Sequence, residues 1–130
     1  MSLNVPTALL ERAEAGPVTD EEFVDCIRTS LPYAWEVVSR TAGRLGEGAD
    51  EFATDNEDPP SEAEQGQLLR ALASSSMRVA LERHFNVKLE FQNCCKVAAF
   101  RPDAVDGAAH QLFVSQRMQL LNQAPGLVSC

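Results

Sequence analysis

The chain has 130 residues, 45% of them hydrophobic, and carries 19 acidic against 11 basic side chains, for a formal net charge of -8. That length supports a single domain, residues 1–130, with its own core and no need of disulfide or metal staples. No apolar run approaches the roughly 20 residues of a membrane helix, and the charge argues against nucleic acid, whose phosphates are neutralised by a positive surface.

In chain order, residues 6–15 read as a short helix. Pro6 suits a first turn, where its missing N–H would be unpaired anyway. Leu9, Leu10 and Ala13 form the apolar edge, and Gly16-Pro17 stops it. Thr19-Asp20-Glu21-Glu22 is a capping box with acids in the first turn. Apolar positions then recur at helical spacing from Phe23 to Leu45. Because the spacing survives Pro32, it predicts either one kinked helix or two helices meeting there. Trp35, the single Trp, lies on the apolar face and is expected in the core. Cys26 is expected to be structural.

Residues 47–64 hold eight acids and no base. The chain before them has seven acids and four bases, and the chain after them four acids and seven bases, so this segment equals the whole net charge. Acids, small residues and Pro59-Pro60 predict an acidic mobile loop over residues 46–60. The order D-N-E-D-P-P lacks the alternating acids, glycine and distal glutamate of a calcium loop. Asp55, Glu57 and Asp58 are instead the candidate contacts for a basic partner.

Ser61-Glu62-Ala63-Glu64 is a second capping box. It opens a helix running to His84, with Leu69, Leu72, Ala73, Met77 and Ala80 on one face. Ser76 falls in the middle of that face and is expected to bond back to a carbonyl four residues earlier. His84 at the shoulder suits a helix end. Strict alternation follows from Phe85 to Phe91, and a second apolar run covers Val97 to Phe100. A two-stranded element at residues 85–100 is therefore expected. If the second run is an edge strand, its unpaired backbone invites another copy of the chain, so a homodimer is expected from it. After the Arg101-Pro102-Asp103 turn, Asp103 or Asp106 is expected to cap a last helix, with His110 at its surface. Residues 124–130 form a C-terminal tail.

The fold class is thus α+β and predominantly helical: four or five helices packed with a small two-stranded element. Reactive residue types cluster only at Cys94-Cys95, with His84, His110 and Cys130 available. Adjacent cysteines do not readily both ligate one small ion, and no C-x-x-C is present. A redox role would need a cation near the thiol, for which Lys96 and Arg101 are the candidates. There is no glycine-rich phosphate loop, no G-x-S-x-G and no H-E-x-x-H. The pattern calls for no cofactor and no metal, and no catalytic set assembles in it. The leading expectation is a non-catalytic protein-interaction or regulatory module using Asp55, Glu57 and Asp58. The alternative is a thiol-based redox or metal-binding protein using Cys94 and Cys95 with His84. A third reading is a ligand pocket near Trp35 and Ser76.

The stretches F-V-D-C-I-R-T-S-L-P-Y-A-W-E, G-Q-L-L-R-A-L-A-S and A-L-E-R-H-F-N-V-K-L-E-F-Q-N-C resemble a small actinobacterial protein family. The resemblance spans nearly the whole chain and implies a single-domain bacterial cytoplasmic protein. It agrees with nine of the eleven bases being Arg, and it carries no catalytic residue onto these positions. The start, M-S-L-N-V-P, has no basic region followed by an apolar stretch, which also leads to the cytoplasmic expectation.

Overall fold

The computed structural model describes residues 3–48, 50–92 and 96–121. Three helices come first: α1 (Thr7–Ala15), α2 (Asp20–Ser30) and α3 (Pro32–Glu47). The capping box forms, with Thr19 Oγ1 accepting from the Glu22 N–H at 3.2 Å. Of the two outcomes expected at Pro32, two separate helices is the one observed. Pro32 sits in the first turn of α3, and Leu31 leaves helical geometry at φ -127° and ψ 63°. No side chain of α3 caps its own start. The amide oxygen of Gln67 does so from a distance, accepting from the N–H groups of Tyr33 at 2.7 Å and Ala34 at 3.2 Å.

Strand β1 (Phe52–Asp55) follows, then α4 (Glu62–Ala73), α5 (Ser75–Phe85), β2 (Lys88–Gln92) and β3 (Lys96–Phe100). A 3-10 turn over Pro102–Ala104 leads to α6 (Ala108–Phe113) and α7 (Gln116–Leu121). Two expectations on helix count need correction. The helix expected to run from Ser61 to His84 is broken at Ser74, which is extended at φ -83° and ψ 120°. Three consecutive serines offer the backbone hydroxyl partners that compete with helical bonds. Ser76 is exposed, 3.2 Å from the Ser74 hydroxyl, and does not sit in the apolar face. The last helix is broken at Ser115, whose hydroxyl donates to the Leu112 carbonyl at 2.6 Å and accepts from the Met118 N–H at 3.1 Å. The described residues therefore hold seven α-helices where four or five were expected.

The sheet needs a larger correction. It has three antiparallel strands in the order β1-β3-β2. Its third member comes from the stretch expected to be wholly loop, and Val97 to Phe100 is the central strand, not an edge. The edge argument for a homodimer falls with it. Phe85, expected to begin the strand, is the last residue of α5. Asn86 ends that helix in the left-handed region at φ 55°, which Asn adopts at low cost.

Both faces of the sheet are covered. Ala53, Leu89, Phe91, Val97 and Ala99 join the main core with Ile27, Leu31, Val37, Val38, Leu68, Leu72 and Leu81. On the opposite face Phe52 stacks on Phe100, and α6 lays His110 and Phe113 edge-on against the Phe100 ring. Cys26 is buried with its thiol 3.5 Å from the Asn4 carbonyl, as a structural residue would be. Trp35 is half-buried at the rim of the core, against His84 and Phe85. Among the described residues no helix is long and apolar enough to cross a membrane.

Candidate binding surface

The three acids expected to act together are separated by the fold. Asp55 is 2% exposed. Strand alternation turns it to the core face, opposite Val97, where it meets Arg40 of α3. Arg40 donates to Asp55 Oδ2 through Nε at 3.0 Å and Nη2 at 2.5 Å. Asp55 Oδ1 also accepts the Glu57 N–H at 3.0 Å. Glu57 and Glu36 lie 3.4 and 3.7 Å from the same guanidinium. Hydrogen bonding to Asp55 raises the Arg40 pKa further above its ordinary value. Asp55 is thus a structural ion-pair partner, while Asp58 remains an exposed acid.

His84 is exposed, 5.3 Å from Trp35 and 4.8 Å from Phe85, ring to ring. Arg28 lies over Trp35, 5.9 Å from its ring centre. Cys94 and Cys95 lie outside the described residues, as does Cys130. Among the described residues no three His, Cys, Asp or Glu side chains converge as a metal site.

A half-buried polar chain that the sequence did not advertise links the second sheet face to α5. His110, expected at the surface, is 7% exposed. Its Nε2 lies 3.2 Å from Glu90 Oε1, and its Nδ1 accepts the Asp106 N–H at 3.0 Å. Lys88 bridges Glu90 at 3.7 Å and Glu82 at 3.1 Å, and Glu82 in turn accepts the Leu89 N–H at 2.8 Å. Neither Asp103 nor Asp106 caps α6, whose N-cap is Gly107. Both nitrogens of His110 are occupied, so the ring offers no free base to a substrate. The i, i+4 spacing of Asp106 and His110 was the one visible signal, and it does not reveal the strand on the other side.

Most bases are spent on internal partners. Arg12, Arg28, Arg40, Arg83 and Lys88 pair with acids. Arg44 and Arg101 donate to the carbonyls of Thr54 and Gly48. Arg70, Arg78, Lys96 and Arg117 have no acid partner among the described residues, and the first two lie close together in the chain. Arg70 and Arg78 flank the α4–α5 junction, four residues before and four after Ser74. Arg78 Nε is buried with no hydrogen-bond partner. Residues 65–81 contain no acid at all. Leu69 and Val79, beside the two arginines in sequence, are exposed apolar residues. The junction is therefore a local positive, partly apolar surface on an acidic protein.

The pair between Arg83 and Asp20 ties α5 to α2 through two hydrogen bonds of 2.6 and 2.8 Å. Hydrogen bonding to Arg83 holds the Asp20 carboxyl below its usual range. A depressed acid favours the folded state above the unfolded carboxyl pKa and loses that contribution as pH falls through its lowered folded value. Water and salt screen this exposed pair, so its contribution is small. Melting temperature against pH should fall slightly more steeply below about pH 4 for the wild-type protein than for Arg83→Ala. Parallel curves would show that the pair contributes nothing.

A family model described as NucS shadow ORF, labelled KH_NucS_shadow, matches residues 1–130. No curated protein and no solved structure matches the chain.

Proposed function

We propose that this chain, which belongs to the NucS shadow ORF family, is a non-catalytic binding domain of KH type that holds a short single-stranded nucleic acid segment across the α4–α5 junction. The observation that carries this reading is the element order β1–α4–α5–β2–β3–α6 with β3 between the other two strands. That is the plan of a KH module, and the family label carries the same prefix. In such modules the loop between the paired helices clamps the backbone of about four nucleotides.

Here the junction reads Ala73-Ser74-Ser75-Ser76, without the glycines of a GxxG loop. Side chains replace the close backbone approach, as three hydroxyls and the guanidinium groups of Arg70 and Arg78 offer donors to phosphate. Exposed Leu69 and Val79 supply apolar surface for bases. The net charge of -8 opposes this only as a whole-chain figure. The segment at residues 47–64 equals the net charge by itself, and residues 65–81 carry none of the acids.

Fluorescence anisotropy with labelled single-stranded RNA and DNA octamers tests the reading. Replacing Arg70 and Arg78 together with Ala should weaken binding. It should also make the salt dependence shallower by about 1.4 in log–log slope, since each single-strand phosphate contact contributes about 0.7. Binding unchanged in that double variant would overturn the assignment. Oligonucleotides that fail to bind while an acidic peptide does would return the chain to the protein-partner class.

A further inference from the structure

His110 stands in the first turn of α6, and the hydrogen on its ring is assigned by its neighbours. An amide N–H only donates. Because Nδ1 accepts from the Asp106 N–H, the neutral ring must carry its hydrogen on Nε2 and donate it to Glu90. Asp106 is one of two described residues other than glycine with positive φ, at 67°. The other, Asn86, is a helix C-cap. Asp106 is the third residue of the tight turn Ala104–Gly107, closed by the Gly107 N–H donating to the Ala104 carbonyl at 3.0 Å, and α6 adds two further bonds to it. His110 takes its N–H, and the Gln111 side-chain amide donates to its carbonyl at 2.9 Å. A side chain at Gly107 would crowd this turn, since a Cβ there would lie 3.1 Å from the Ala104 carbonyl oxygen.

We infer that His110 is a proton-operated clasp on the turn at residues 105–107, holding Asp106 in its left-handed conformation when the ring is neutral and releasing it when the ring is charged. A proton on Nδ1 sets two donors against each other and removes the one acceptor that the Asp106 N–H has among the described residues. The new ring N–H has an alternative partner in the Asp106 carboxylate, whose Oδ1 lies 4.0 Å away. Moving to it swings the residue away from positive φ, a conformation that is costly for a residue bearing a Cβ, so the release also relieves backbone strain.

The charged groups around the ring come from three elements. Glu90 of β2 lies 3.2 Å from the ring and Asp106 belongs to the turn itself, while Lys88 of β2 is 3.7 Å from Glu90 and Glu82 of α5 is 3.1 Å from Lys88. Phe100 packs edge-on at 5.0 Å and keeps water from the ring. The clasp matters because α6 reaches Phe100 through His110 and Phe113. A change in the turn is therefore passed to the groove between β2 and the α6–α7 corner, lined by Glu90, Gln92, Phe113 and Ser115.

The chain has two histidines, so the test uses the full chain with His84→Gln, which leaves His110 as its only imidazole. Proton–nitrogen NMR from pH 8 to pH 5 covers the range in which histidine titrates. The Asp106 backbone amide and the Gln111 side-chain amide should move with one midpoint, shared with the His110 ring. Adding His110→Asn, whose side-chain oxygen can accept from the Asp106 N–H but takes no proton in this range, should abolish that step. The inference is overturned if the ring titrates while the Asp106 amide stays still, if the ring does not titrate in this window, or if the step survives in the Asn variant. The first two outcomes are read on the His84→Gln chain alone, so they stand even if the Asn variant folds poorly.

Discussion

Phe100→Ala is expected to destabilise the fold by about 3–5 kcal/mol, the cost of emptying a large aromatic site in a core. Phe100 is fully buried at the end of the central strand, paired in register with Phe52 on one side and Lys88 on the other. Its ring meets Phe52 at 5.4 Å, His110 at 5.0 Å and Phe113 at 5.8 Å between centres. His110 is tethered at both nitrogens and Phe113 is held on α6, so neither readily closes the space. Against a typical total stability of about 5–15 kcal/mol, this is a large share. Urea unfolding of Phe100→Ala beside Phe52→Ala measures it. Phe52 is 39% exposed, so its loss should cost clearly less. Equal losses would mean that the second sheet face is not a core.

Arg40→Ala is expected to cost about 3 kcal/mol, the lower end of the range for orphaning one member of a buried ion pair. The reason is asymmetric burial, because Asp55 has 2% of its side chain exposed and Arg40 29%. Removing Arg40 leaves a buried carboxylate with the Glu57 N–H as its remaining recorded donor. Removing Asp55 leaves a partly solvated guanidinium that keeps Glu57 and Glu36. Asp55→Ala should therefore be milder, and the double variant should resemble Asp55→Ala more than the sum of the two. Denaturant midpoints of the three variants decide the matter, and Asp55→Ala proving the most damaging would contradict this account. The same asymmetry bears on the acidic segment. Charge reversal at Asp55 tests folding, whereas reversal at Glu57 or Asp58 tests a surface.

The helices were legible because local chemistry writes them. The capping boxes at Thr19 and Ser61 form as their residue types require, and Pro32 marks the start of α3. The breaks at Ser74 and Ser115 were less visible, since a serine inside a helical pattern signals a stop only when its hydroxyl finds a better partner than solvent. Strand β1 was hidden for a different reason. Four residues, F-A-T-D, are too short for periodicity to register, and their neighbours are acids and prolines. What makes them a strand is β3, which offers its free edge.

Of the residues singled out for binding, Asp55 shows most clearly why a list of acids is not a site. Glu57 and Asp58 lie two and three positions further on, yet Asp55 alone is turned into the core, and it is a helix fifteen residues upstream that supplies its counter-ion. In the sequence Arg70 and Arg78 are simply two of the seven bases after residue 64. Which bases remain free of acid partners emerged only once Arg83 had met Asp20 and Lys88 had met Glu82 and Glu90.

By itself, then, the sequence determined the starts of the first four helices, the alternation of β2 and the buried run of β3, since each depends on residues within one or two turns of one another. The tertiary structure alone decided the third strand and its register, the fate of each charge and the burial of His110. Those depend on contacts between residues far apart in the chain, and a carboxylate or imidazole carries no local mark of whether its partner will be water or a side chain brought in by another element.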